Sequence, residues 1–67
     1  MVTIRLNGER HELADMTTVA KLLEELGLQP ELLAVERNRD IVPKAAYGET
    51  VFEEGDVVEI VTFVGGG

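Results

Sequence analysis

No cysteine and no serine occur in the 67 residues. Without cysteine there is no disulfide to staple a small fold, no thiolate nucleophile and no cysteine-ligated metal. Without serine, the serine-nucleophile hydrolases are excluded. The single histidine, His11, has no partner imidazole or thiolate with which to build a transition-metal site, so it reads as a surface strand residue. The glycine patterns that cradle phosphates or dinucleotides are missing as well. Long apolar runs are also lacking, which excludes a spanning helix. No basic, then apolar, then small-residue leader opens the chain, so the expectation is a cytoplasmic protein with no membrane role. Basic residues are few: six lysines and arginines face 13 aspartates and glutamates, for a net charge of −7. Such a chain repels phosphate backbones and is not expected to bind nucleic acid. The charge suits docking on a basic partner surface, and it also serves plain solubility.

What is present is enough for one core. A domain of this length is marginal, with a core worth only ~3–5 kcal/mol, and here packing and local propensity must supply all of it. Val2-Thr3-Ile4-Arg5-Leu6 alternates with period two, as a half-buried strand does. Asn7-Gly8 then offers the positive φ angles of a tight hairpin turn, and Glu9 to Leu13 is the returning strand. Val19, Leu22, Leu23 and Leu26 share one helical face, with Lys21, Glu24 and Glu25 mainly on the other side. Thr17 or Thr18 can cap this helix, and Gly27 is placed to end it in a left-handed conformation. Beyond Pro30, Leu32 to Glu36 reads as a third strand. Asn38-Arg39-Asp40 reads as a turn and Ile41-Val42-Pro43 as a short edge piece, because proline cannot donate to a central ladder. Lys44 to Gly48 reads as irregular or a short helical turn, Thr50 to Phe52 as a brief pairing, and Glu53 to Asp56 as a turn. Val57 to Val64 reads as a long final strand. A hairpin, a helix and further strands predict a two-layer α+β domain, with one helix over a mixed sheet of four to five strands. The predicted domain covers residues 1–64, followed by a flexible glycine tail at 65–67.

In the last strand Val58 and Ile60 point one way, while Val57, Glu59, Val61 and Phe63 point the other. A sheet covered by one helix has one wet face. Val58 and Ile60 are expected under the helix, which leaves Val61 and Phe63 exposed as a docking strip.

Chemistry is scarce in the side chains. Glu24-Glu25 and Glu53-Glu54 are adjacent pairs, which do not converge on a substrate, so a paired-carboxylate hydrolase is a poor reading. What remains is Val64-Gly65-Gly66-Gly67. Terminal glycines are commonly frayed tails or linker remnants, but here they follow directly on a long strand. The carboxylate at the end would belong to Gly67. A carboxylate is a poor electrophile until a partner enzyme converts it with ATP to an acyl-adenylate; a sulfur donor can then displace AMP and leave a thiocarboxylate. Glycine has no Cβ, so such a tail can thread a narrow channel. The candidate site is therefore Gly67 with Gly66 beside it, and the partner-binding stretch is Val61, Phe63, Val64 and Gly65.

The residues also carry a resemblance. Asn7-Gly8, the T-V-x-x-L-L-x-x-L-G segment from Thr18 to Gly27, A-V-x-x-N at Ala34 to Asn38, I-V-P-K at Ile41 to Lys44, E-G-D at Glu54 to Asp56 and F-V-G-G-G at the end occur in one order along nearly the whole chain. In that order they resemble the ThiS family of thiamine-biosynthesis sulfur carriers, within the ubiquitin-like β-grasp superfamily. The resemblance implies a β-grasp fold, no enzymatic activity of the chain's own and no cofactor bound by it, ATP being used by the activating partner. It implies a ThiF-like adenylyltransferase as first partner and a ThiG-like thiazole synthase as second. The small subunit of molybdopterin synthase, a carrier for tRNA thiolation and a ubiquitin-like interaction domain are the alternatives.

Overall fold

The computed structural model describes residues 1–63. Strands β1 (Val2–Leu6) and β2 (Glu9–Leu13) form the expected hairpin, with Asn7 at φ 49° and Gly8 at φ 86° in the turn. Helix α1 (Val19–Leu26) follows, then β3 (Leu33–Arg37), the two-residue β4 (Asp40–Ile41) and β5 (Val57–Thr62). Short 3-10 turns occupy Pro30–Leu32 and Lys44–Ala46. The strands form one sheet in the order β2-β1-β5-β3-β4. The last strand thus lies at the centre, parallel to β1 and antiparallel to β3. This is the mixed sheet on one helix expected of a β-grasp domain.

The helix termini show why these residues stop where they do. Thr18, not Thr17, is the cap: its hydroxyl accepts the Lys21 N–H at 3.1 Å. The next orphan donors of the first turn go to carbonyls of the 47–50 loop, Val19 N–H to Thr50 and Ala20 N–H to Tyr47, both at 2.9 Å. Thr17 is buried and donates its hydroxyl to the Ala14 carbonyl at 2.6 Å. At the other end Gly27, at φ 73°, turns the chain back, and the Leu28 N–H reaches the Leu23 carbonyl at 2.9 Å. This turn corrects one expectation. Leu26, placed on the apolar face by its spacing, is exposed, and Leu28 packs against the core instead. A left-handed helix end brings the second residue beyond it over the last buried turn.

The core lies between α1 and one face of the sheet. Val19, Leu22 and Leu23 of the helix are buried with Ile4, Leu33, Val35, Val58 and Ile60 of the strands, and Val42, Tyr47 and Phe52 close the side. His11, expected at the surface, lies half-buried on β2, because its register sets it opposite the core residue Ile4 on the same face. Among the described residues no helix is long and apolar enough to cross a membrane, and no group of histidines and carboxylates is spaced to hold a metal ion.

Candidate functional site

The site is positioned by β5, so what fixes β5 fixes the site. Two asparagines, each from a left-handed turn, hold it from opposite sides. Asn7 accepts the Ile60 N–H at 2.8 Å and donates its side-chain N–H to the Ile60 carbonyl at 3.2 Å. Its amide thereby acts as one more residue of β1, just where the hairpin turns away. Asn38, at φ 53°, accepts the Val57 N–H at 2.9 Å and donates to Asp56 at 3.0 Å.

Asp56 anchors the start of the strand. It is buried, and beyond Asn38 it accepts the Arg37 guanidinium N–H at 2.7 Å and the Glu53 backbone N–H at 2.9 Å. Burial alone would push this carboxyl up. The Glu53 N–H, and the Arg37 and Asn38 side chains, outweigh it and hold the group below the ordinary carboxylate range.

At the far end of β5, the Phe63 N–H donates to the Leu32 carbonyl at 2.7 Å, which carries the ladder one residue past the strand. The side-chain split is the expected one: Val58 and Ile60 are 0% and 8% exposed, against 52% for Val61 and 54% for Phe63. Phe63 also lines an open apolar groove with Leu28, Leu32 and Leu33, against the turn that ends α1. A second depression, lined by Arg37, Asn38, Ile41 and Pro43, lies at the other end of β3. Val64, Gly65, Gly66 and Gly67 lie outside the described residues. Of the candidate residues, then, the structure brings Val61 and Phe63 together at the open end of the central strand.

The register adds residues to this face that the sequence reading passed over. Ala34 sits directly opposite Val61, Glu36 opposite Glu59, and Ile41 opposite Glu36. Directly paired residues share a face, as do residues two apart on one strand. The open face thus carries Val57, Val61, Ala34 and Ile41 around a central Glu36–Glu59 pair. Ile41 and Val57 are both exposed. The signal in the sequence was the surplus of apolar residues in β5; the missing part was which residues of β3 and β4 stand beside them.

A model of one family matches residues 4–67, the ThiS family. The chain belongs to the ThiS family. Sulfur carrier protein ThiS of Bacillus subtilis is 40% identical over 65 residues, covering 96% of this chain and 98% of that protein. The crystal structure of the thiamine biosynthesis protein ThiS from Geobacter metallireducens superposes with a TM-score of 0.83 at 32% identity, covering 98% of this chain and 100% of that one. Thiazole synthases of Magnetococcus marinus and Paramagnetospirillum magneticum are 48% and 47% identical over 96% and 92% of this chain. The chain spans about a fifth of the length of those synthases, 20% and 19%. In these relatives a ThiS-like region is thus part of a protein named for thiazole synthesis.

Proposed function

We propose that this ThiS-family chain is a sulfur carrier of thiamine biosynthesis, and that its reactive group is the carboxylate of Gly67. The observation that carries the reading is the end-to-end match to the Bacillus subtilis sulfur carrier, joined to a fold whose central strand leads directly to Val64-Gly65-Gly66-Gly67. In this reading a ThiF-like adenylyltransferase joins the carboxylate to AMP and releases pyrophosphate from ATP. A sulfur nucleophile then attacks the acyl carbon, AMP leaves, and the chain ends in a thiocarboxylate. A ThiG-like thiazole synthase takes the sulfur for the thiazole ring. The chain is the vehicle and not the catalyst. It binds no cofactor of its own and works in the cytoplasm, where ATP is at hand. The synthase as partner is supported by the relatives in which a ThiS-like region is part of a thiazole synthase chain.

Val61 and Phe63, with Val64 and Gly65 beyond them, form the partner-binding stretch, and Gly66 lets the end thread the partner's channel. Ordering such a tail costs about 1–2 kcal/mol per residue fixed, and docking through the apolar open face offsets it. The test is the intact mass of the chain after incubation with ATP, a sulfide source and the adenylyltransferase of the same genome. Replacement of one oxygen by sulfur, mapped to Gly67, is expected. An unchanged mass, with the same enzyme active on another carrier, would overturn the reading.

A further inference from the structure

The open face of the sheet holds an arrangement that is unfavourable in the isolated chain. Glu36 and Glu59 are directly opposed across β3 and β5, and like charges so placed destabilise a strand pair. None of the ion pairs among the described residues involves either carboxylate. Of the nearby arginines, Arg37, the next residue along, is held on the other face by Asp56. Arg5 and Arg10 share the open face beside Val57, but Arg5 donates to the Gly8 carbonyl at 3.0 Å and Arg10 pairs with Glu12 at 2.9 Å. None of the ion pairs among the described residues joins Arg39, in the β3–β4 turn, to either acid. Around the two acids stand Val57, Val61, Ala34 and Ile41, with Arg5 beside Val57.

An apolar partner surface laid on Val57, Val61 and Ile41 would also cover the two glutamates. Taking two like charges out of water together is strongly unfavourable unless a cation enters with them. A planar guanidinium, with its fork of donors, can serve two carboxylates at once and tolerates a desolvated site better than an ammonium does.

We infer that the open sheet face docks on a thiazole synthase surface that presents an arginine within an apolar patch, and that this arginine seats between Glu36 and Glu59. The inference rests on the reading of the chain as a carrier that delivers its tail to such a synthase. The occupant is chosen by charge complementarity at the centre of the patch and by the relatives in which a ThiS-like region is part of a synthase chain. The acid pair then sets specificity: an apolar surface without the cation is refused, because it would strip both carboxylates of water with nothing in return.

The experiment is calorimetric titration of the full chain, as wild type and as the E36Q/E59Q variant, against the thiazole synthase of the same genome. Glutamine keeps the shape and removes the charge, so the variant should melt no lower than wild type, its strand pair being relieved of repulsion. Its affinity should nevertheless fall at least tenfold. The E24Q/E25Q variant, with the same change in net charge on the exposed side of α1, should bind as wild type does. Equal or tighter binding by E36Q/E59Q would overturn the inference, because acids buried without a cation are improved by neutralisation. Equal weakening by both variants would overturn it too, as the mark of long-range attraction only. Failure of the wild-type chain to bind the synthase at all would overturn the inference as well, and replacement of oxygen by sulfur at Gly67 of the same chain, with ATP, sulfide and the adenylyltransferase, would show that the carrier reading stands without it, which separates the two failures.

Discussion

Asn7 grips the backbone of Ile60 through both ends of its side-chain amide, and so continues β1 for one residue after the main chain has turned away. The same residue holds a left-handed φ of 49° in the hairpin. Two substitutions separate these roles. Asn7→Gly keeps the turn and deletes the grip, and should cost about 1–2 kcal/mol, the value of two hydrogen bonds to a partly buried strand. Asn7→Ala deletes the grip and strains the turn, and should cost about 1 kcal/mol more. Urea denaturation measures both, and hydrogen exchange at the Ile60 amide should accelerate in each. An Asn7→Gly variant with wild-type stability would mean that the amide contributes nothing to holding β5.

The two glycines Gly27 and Gly48 should respond oppositely to alanine. A Cβ at either would meet nothing within 4 Å, so space does not decide the outcome. Gly27 has a φ of 73°, where an L-residue is strained, whereas no such left-handed angle is found at Gly48. Gly27→Ala should lose about 1 kcal/mol, and Gly48→Ala should be neutral or gain up to about 1 kcal/mol through a less free unfolded chain. Thermal melts of the pair check this, and equal losses at both positions would overturn the assignment of the Gly27 cost to its φ.

Stability should fall with acid through Asp56. Its carboxyl is held below the ordinary range in the folded chain, so the folded state favours the ionised form. A depressed value contributes stability that is fully present above the unfolded value of 3.8 and is lost as pH falls through the folded value. Asp56→Asn should therefore be clearly destabilised at pH 7, by about 2 kcal/mol given a partner arginine that remains partly solvated. The gap to wild type should shrink in acid below the ordinary aspartate range. A gap that stays constant down to acid unfolding would show that the carboxylate charge is not what anchors β5.

How much of this could be read from the sequence depended on distance along the chain. Thr18 and Gly27 were legible because a cap and a left-handed stop act on neighbours within a turn. The burial of Val58 and Ile60 was legible because strand alternation leaves only two choices and a lone helix covers one. Leu26 was misassigned because spacing extends a face past the point where Leu28 folds back over it. Asn7 read correctly as a turn residue, but its grip on Ile60 joins positions 53 apart, and nothing local announces it. Glu36 and Glu59 each look like solvated strand residues, and only the β3–β5 register makes them a pair.

The open face and the buried face of β5 should give opposite results when charged. Val61→Asp or Phe63→Asp places the carboxylate in water, so stability should change by no more than about 0.5 kcal/mol. Either should weaken binding to the adenylyltransferase or synthase by at least tenfold, since an unpaired acid would be carried into an apolar contact. Val58→Asp, fully buried under α1, should abolish folding. Circular dichroism and a pull-down with each purified partner distinguish the cases. Undiminished partner binding by Val61→Asp would place the interface elsewhere on the molecule.

The last prediction concerns the tail itself. If the carboxylate of Gly67 must reach a partner's active centre through a narrow channel, a side chain at the preceding residue obstructs the path, while the folded body has no stake in it. Gly66→Ile should leave the melting temperature within error of wild type and leave docking through Val61 and Phe63 largely intact. Thiocarboxylate formation should nevertheless drop by two orders of magnitude or more, about 3 kcal/mol in the activated complex. Gly66→Ala, with a single added methyl group, should fall between. Intact-mass spectrometry after timed incubation with ATP, sulfide and the adenylyltransferase gives the rate, and a binding titration on the same samples separates failure to dock from failure to thread. Full modification of Gly66→Ile would mean that the channel accepts a branched side chain, and that the glycines serve freedom of motion and not passage.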